Sequence, residues 1–241
     1  MPLEISEAPH AAGAPAQADW RLLAAIIDQT LLKPAASVPD IEQLCRDAVE
    51  YNFACVVVNP ANVALASLLV SGTGVKVASV VGFPFGATTT GVKRYEALEA
   101  LRLGAREIDM MMNVGALKSG DRARVQADMR GLAEIVHANG ALLKITIETA
   151  LLSLEEKLLA CQLAVAAGTD FVKSSTGFAN GGAVAADISL MRGVVGEKLG
   201  VKASGGIRTL QDAQTMIDAG ASRIGTSAGV AIVQEARNRN P

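Results

Sequence analysis

The sequence predicts an α/β protein built as one (β/α)8 TIM barrel, and three observations carry that prediction. Eight short apolar or β-branched runs alternate with longer segments of helical period. Glycines stand between several helical segments and the run that follows, where a left-handed cap or tight turn favours them. The eight units occupy about 220 residues, the size and repeat number of this barrel, whereas an open doubly wound sheet would usually need fewer strands.

Taken in order, a strand is predicted over 26–30 and is followed by a helix over 38–51. The next strand, 54–59, carries Cys55 beside Val56 and Val57. A strand over 76–81 leads to a helix over 92–103, closed by Gly104, and then to the strand EIDMMMN at 107–113. The helix over 122–138 ends near Gly140, before LLKITIE at 142–148. A helix over 154–167 ends at Gly168, before FVKSST at 171–176. A helix over 183–199 ends at Gly200, before the strand at 201–205, and a helix over 210–219 ends at Gly220, before 223–226. Residues 1–18, rich in Ala and Pro, read as a disordered tail without the features of a signal peptide. The barrel domain is expected over 19–237, with a short tail at 238–241.

Composition narrows the function. Half of the 241 residues are hydrophobic and 19% are charged, enough for one domain with a full core. Lys and Arg number 22 against 24 Asp and Glu, a formal charge of −2 without a basic block, which argues against a nucleic-acid partner and for a small molecule. The three cysteines, Cys45, Cys55 and Cys161, are odd in number and widely spaced, so a reducing cytoplasm is expected. No apolar run reaches the roughly 20 residues that a membrane-spanning helix needs. The histidines are His10 and His137, too few and too far apart for a zinc-dependent aldolase site or a Ser-His-Asp set.

Active sites in this fold gather at the C-terminal ends of the strands. Lys144, Lys173 and Lys202 fall inside the fifth, sixth and seventh predicted strands. With side chains alternating and strands about 4.8 Å apart, the three ammonium groups can converge inside the barrel. Burial and mutual repulsion then favour a neutral amine on one of them, and a neutral amine attacks carbonyls. The plainer alternative is that each lysine reaches water at a strand end or pairs with a carboxylate such as Glu148. Asp109 in the fourth strand is in phase with Met111 and Asn113, and can hold a lysine protonated or relay a proton. Cys55 reads as a buried structural thiol. Ser175-Thr176-Gly177, Ser204-Gly205-Gly206 and Gly225-Thr226-Ser227 close the sixth, seventh and eighth strands, and backbone N–H groups freed by glycine suit a phosphate there. Gly181-Gly182 reads as a turn.

At these residues the chain resembles the deoxyribose-phosphate aldolases, from about Ile27 to Glu235. DQTLLKP, VVGFPFGATTT, EIDMMMNVGALKSG, KITIETALL, DFVKSSTGF, VKASGGIRT and RIGTSAGV look like that family's segments, in its order. The resemblance implies that Lys173 forms an imine, that Lys202 tunes it and that Asp109 is the acid/base partner. It also implies that Gly205, Gly206, Gly225 and Ser227 hold the substrate phosphate, with Gly177 nearby, and that Cys55, Lys144 and Asp28 surround the site. The implied substrates are a sugar phosphate and an aldehyde, with neither metal nor organic cofactor, in a homodimer or homotetramer. Departures from the family pattern are Gln29, Ser174, Ala150 and Ala228. Two other readings stay open: a different imine-forming barrel enzyme, such as a transaldolase, and a phosphate-binding barrel without catalysis.

Overall fold

The computed structural model describes residues 19–239. The expected tail at 1–18, with His10, lies outside them, as do residues 240–241. In chain order the elements are α1 (Trp20–Ala24), β1 (Ile27–Leu31), α2 (Val38–Tyr51), β2 (Cys55–Val58), α3 (Val63–Leu69), β3 (Lys76–Val81), α4 (Thr90–Arg102) and β4 (Glu107–Met111). They continue with α5 (Val114–Lys118), α6 (Arg122–Ala138), β5 (Leu142–Thr146), α7 (Leu154–Ala167), β6 (Phe171–Lys173), α8 (Ala185–Val195), β7 (Gly200–Ser204), α9 (Leu210–Asp218), β8 (Arg223–Thr226) and α10 (Gly229–Arg239). Each strand pairs in parallel with the next, and β8 pairs with β1, so the sheet closes as the predicted (β/α)8 barrel.

The local sequence explains these elements. A parallel strand buried on both faces needs a continuous apolar run, which β2 supplies as CVVV. Helices α7 and α9 start at capping boxes, Ser153 with Glu156 and Thr209 with Asp212, whose side chains satisfy the first free N–H groups. Strand alternation divides the core in two. Outward residues such as Ile108, Met110, Ile145, Val172 and Val201 pack in one cluster with Leu132 of α6 and Ile188 of α8. A smaller cluster of Leu32, Cys55, Val57, Ala78, Val80 and Met111 fills the barrel interior beside β1 to β4. The rest of the interior is lined by polar and charged residues, Asp28 of β1 and Lys144, Lys173 and Lys202 among them.

Some boundaries differ from the sequence reading. Strand β4 stops at Met111 because Asn113 turns to cap α5, its side chain accepting a hydrogen bond from Ala116 N–H at 3.0 Å. Helices α1, α3 and α5 were not predicted; at 5, 7 and 5 residues they are too short to show a period. Helix α10 was also missed, and it continues through Asn238 and Arg239, into the stretch expected as tail. Helix α8 ends at Val195, where Gly196 takes φ 54°. Gly200 is therefore not the stop: it begins β7, where an added Cβ would lie 2.0 Å from the Phe171 ring, so close packing requires the glycine. No helix among the described residues is long and apolar enough to cross a membrane.

One buried ion pair ties the helical shell to the strand that carries Asp109. Lys93 of α4 is fully buried, and its Nζ lies 2.6 Å from Asp128 Oδ2 of α6 and donates to the Met111 carbonyl at 2.8 Å. Lys93→Met leaves the Asp128 carboxylate buried and unpaired, so it is expected to cost roughly 3–5 kcal/mol. The midpoint of urea unfolding measures it.

Candidate active site

Period-two alternation places a charged layer inside the barrel. Strand β4 contributes Glu107 and Asp109, β5 Lys144, β6 Lys173, β7 Lys202, β8 Arg223 and β1 Asp28. The register sets Asp109 beside Lys144 and Lys173 beside Lys202. Asp109 is the hub: its Oδ1 lies 2.8 Å from Lys144 Nζ, and its Oδ2 lies 2.9 Å from Lys173 Nζ and 2.8 Å from Lys202 Nζ. Lys202 also pairs with Asp28 at 2.5 Å, and Lys144 with Glu107 at 2.5 Å. Arg223 joins Glu107 at 3.0 Å and also contacts Asp28.

Counting formal charges decides which amine can be neutral. Four cationic groups, Lys144, Lys173, Lys202 and Arg223, meet three carboxylates, Asp28, Glu107 and Asp109. Buried charge must be matched, so one cation is in excess. Lys173 has a single carboxylate contact, shared with two other lysines, and of the three lysines it is the one whose pKa is pushed down. Burial pushes its pKa down, Lys202 and Lys144 push it further, and Asp109 opposes them without prevailing. Burial also works against charge on Lys144 and Lys202, but there the surrounding carboxylates outweigh it and both are raised. The same cations hold Asp109 well below the usual carboxylate range despite its burial. The charge balance therefore favours the uncharged form on Lys173 and leaves the other three cations ion-paired.

Above this layer, a cavity of about 360 Å³ opens between the loops after β6, β7, β8 and β1. Of the residues singled out from sequence, Lys173, Gly177, Gly205, Gly206, Gly225 and Ser227 line it. Gly205 and Gly206 hold φ of 95° and 80°, which turns the backbone after β7 toward the opening. Lys33 and Arg208 also line the cavity, and α10 begins at Gly229, two residues after Ser227. Glycine-rich backbone and two cations give this cavity the makings of an anion site. Asp109 and Lys202 touch Lys173 but are buried, at 0% and 1% exposure. Lys144 and Cys55 are fully buried too. Cys55 Sγ lies 3.5 Å from Arg223, and burial, then Asp28 and Glu107, pushes its thiol well up, so it stays protonated. Gly225 makes room for Lys202, whose Cε an added Cβ would meet at 2.9 Å.

The sequence reading missed Glu107 and Arg223, although each lies two residues before a site position and so shares its face. It missed Lys33 and Arg208 as contributors to the cavity wall, because loops carry no period. Glu148, offered as a lysine partner, instead accepts from Thr176 Oγ1 at 2.6 Å. The departures from family pattern also have places. Gln29 Oε1 accepts from Gly229 N–H at 3.0 Å, and Ser174 Oγ donates to the Ser204 carbonyl at 3.1 Å. Ala228 brings no hydroxyl, and its N–H is donated to Thr226 Oγ1 at 2.9 Å. Asp28, Cys55 and Glu107 place donor atoms within 4.8 Å of one another, as a metal would require, but Lys144, Lys202 and Arg223 already occupy the carboxylates.

Comparison with known proteins points the same way as this geometry. The profile of the DeoC/LacD family aldolases matches residues 22–235. The chain is 54% identical over 218 residues to the deoxyribose-phosphate aldolase of Thermococcus gammatolerans, covering 90% of this chain and 97% of that one. It is 55% identical over 212 residues to the Bacillus subtilis enzyme of the same name, covering 88% and 95% respectively. Among solved structures, the tetrameric deoxyribose phosphate aldolase from Aeropyrum pernix superposes with a TM-score of 0.86 at 34% identity, over 92% of this chain and 93% of that one. The chain belongs to the DeoC/LacD aldolase family and is a lyase.

Proposed function

We propose that the protein reversibly cleaves 2-deoxy-D-ribose 5-phosphate to acetaldehyde and D-glyceraldehyde 3-phosphate through an imine on Lys173. The observation that carries this reading is a lysine whose pKa is pushed down by burial and by neighbouring cations, opening on a cavity that also holds Lys33, Arg208 and a glycine-rich backbone. The names of the Thermococcus gammatolerans and Bacillus subtilis relatives support the substrate.

The Lys173 amine attacks the C1 aldehyde of the open-chain sugar, and loss of water gives a protonated imine. The bond that breaks is C2–C3, because two carbons leave as acetaldehyde; C3–C4 stays within the three-carbon product. The C3 hydroxyl loses its proton and becomes the aldehyde of glyceraldehyde 3-phosphate, while the electron pair moves through C2 to the imine nitrogen. Protonation of the resulting enamine at C2 and hydrolysis release acetaldehyde and restore the amine. Asp109, through Lys202 and a water, moves these protons. Each step is supplied by side chains and water, so no organic cofactor or metal takes part in the scheme. Gly205, Gly206, Gly225 and Ser227 hold the phosphate with Gly177, while Cys55 and Lys144 form the buried floor. The reaction belongs in a reducing cytoplasm, on small molecules and not nucleic acid. A homodimer or homotetramer is the proposed assembly, checked by light scattering.

Turnover with identification of both products tests the reaction, and any other product pair would replace this substrate. The phosphate end has its own test. Arg208→Ala is expected to raise KM for the phosphorylated sugar about tenfold by removing a charge-assisted contact, and to leave unphosphorylated 2-deoxyribose unaffected. Equal losses on both sugars would assign Arg208 a different role.

A further inference from the structure

We infer that Glu148 is a positioning residue for the anion-binding end of the cavity, acting through Thr176; the inference rests on the aldolase reading above. Glu148 follows β5 and is 6% exposed. Its backbone takes φ 58° and ψ 67°, in the left-handed region, where an L-residue is strained and glycine is not. A glutamate kept in a conformation that suits glycine better points to a requirement for its side chain.

The reversal at Glu148 sends its carboxylate across the end of β6. The residues on either side hold the β6 backbone: Ile147 N–H donates to the Lys173 carbonyl at 3.0 Å, and Thr149 N–H to the Ser174 carbonyl at 2.9 Å. The carboxylate holds the loop beyond, with Oε2 accepting from Thr176 N–H at 3.0 Å and from Thr176 Oγ1 at 2.6 Å. Thr176 Oγ1 in turn accepts from Phe178 N–H at 3.1 Å. On the opposite side, Ser204 Oγ donates to the Ser175 carbonyl at 2.5 Å. The loop is therefore hung between β5 and β7, and Thr176, Gly177 and Phe178 form a wall of the cavity that also holds Lys33 and Arg208.

Glu148 does not line that cavity itself. It borders a smaller one of about 130 Å³, with Thr176 common to both. Thr176 is therefore the link between Glu148 and the larger cavity. Lys173, by contrast, is held by Asp109 and by its strand pairing, so imine formation does not depend on the clamp.

The test compares Glu148→Gly, which keeps the left-handed backbone and removes the carboxylate, with Glu148→Gln, which keeps an acceptor for Thr176. In Glu148→Gly, KM for 2-deoxyribose 5-phosphate and the inhibition constant of inorganic phosphate are both expected to rise about tenfold, the loss of one well-placed charged hydrogen-bond acceptor. Borohydride trapping with acetaldehyde, and turnover of unphosphorylated 2-deoxyribose, should stay at the parent's level, and Glu148→Gln should recover most of the phosphate effect. Equal losses on both sugars would make Glu148 a packing residue, and unchanged constants would show that the loop needs no clamp; either result overturns the inference. Parent protein that binds inorganic phosphate but cleaves no sugar would overturn the aldolase reading alone, because phosphate binding by the two variants would still report on the clamp.

Discussion

Lys173→Ala is expected to lose turnover by roughly 10⁴-fold or more, the scale on which removal of a covalent nucleophile acts. It should also lose the ethyl adduct that borohydride leaves on the parent protein in the presence of acetaldehyde. The same substitution is expected to spare the fold. Lys173 is the excess cation of the buried layer, and without it Lys144, Lys202 and Arg223 still face Asp28, Glu107 and Asp109. Thermal unfolding should therefore stay close to the parent's while activity vanishes, a separation that a structural ion-pair lysine would not give. Peptide mapping of the reduced adduct decides the assignment. Label on Lys144 or Lys202 in the parent, with Lys173→Ala still active, would remove Lys173 from the mechanism.

That layer was legible from sequence where two rules overlapped. Lys144, Lys173 and Lys202 stand out because a charged residue inside an apolar run is conspicuous, and because alternation sends all three to one face. Asp109 followed from the same period. Glu107 and Arg223 obey it equally but stand at the first residues of β4 and β8, where a charge reads as the edge of a strand. Without them alternation alone leaves three lysines against a single in-phase carboxylate, and only the family resemblance singled out Lys173. The structure supplies the reason, because Glu107, Asp28 and Arg223 complete the charge count. Loop contributions were illegible for a different reason. Lys33 and Arg208 reach the cavity from loops, and the reversal at Glu148 uses a residue with no propensity for it. Gly200 shows the converse error, a glycine placed by a ring packed against it and not by a turn.

The charge count also fixes what Lys202 should do. Removing it leaves Lys144 and Arg223 against three carboxylates, and Lys173 becomes the third cation that neutrality requires. Its pKa is expected to rise. A lysine at the ordinary value of about 10.4 is unprotonated in roughly one molecule in 2,500 at pH 7, and each unit of pKa changes that fraction about tenfold. Lys202→Met removes the charge and keeps the length that fills the space beside Gly225. The rate of imine trapping at pH 7 is then expected to fall at least tenfold, because each unit by which the pKa rises costs about that factor. The sign follows from the base form being the reactive one: a raised pKa moves the rising limb of the pH profile to higher pH. Raising the pH toward the new pKa should restore trapping, about tenfold per unit while Lys173 remains mostly protonated. Turnover should recover less than trapping, because the proposed proton path from Asp109 through Lys202 would stay broken at every pH. Comparing the two profiles separates the roles. A trapping profile that does not move would show that burial alone sets the Lys173 pKa, and would leave Lys202 as a proton carrier.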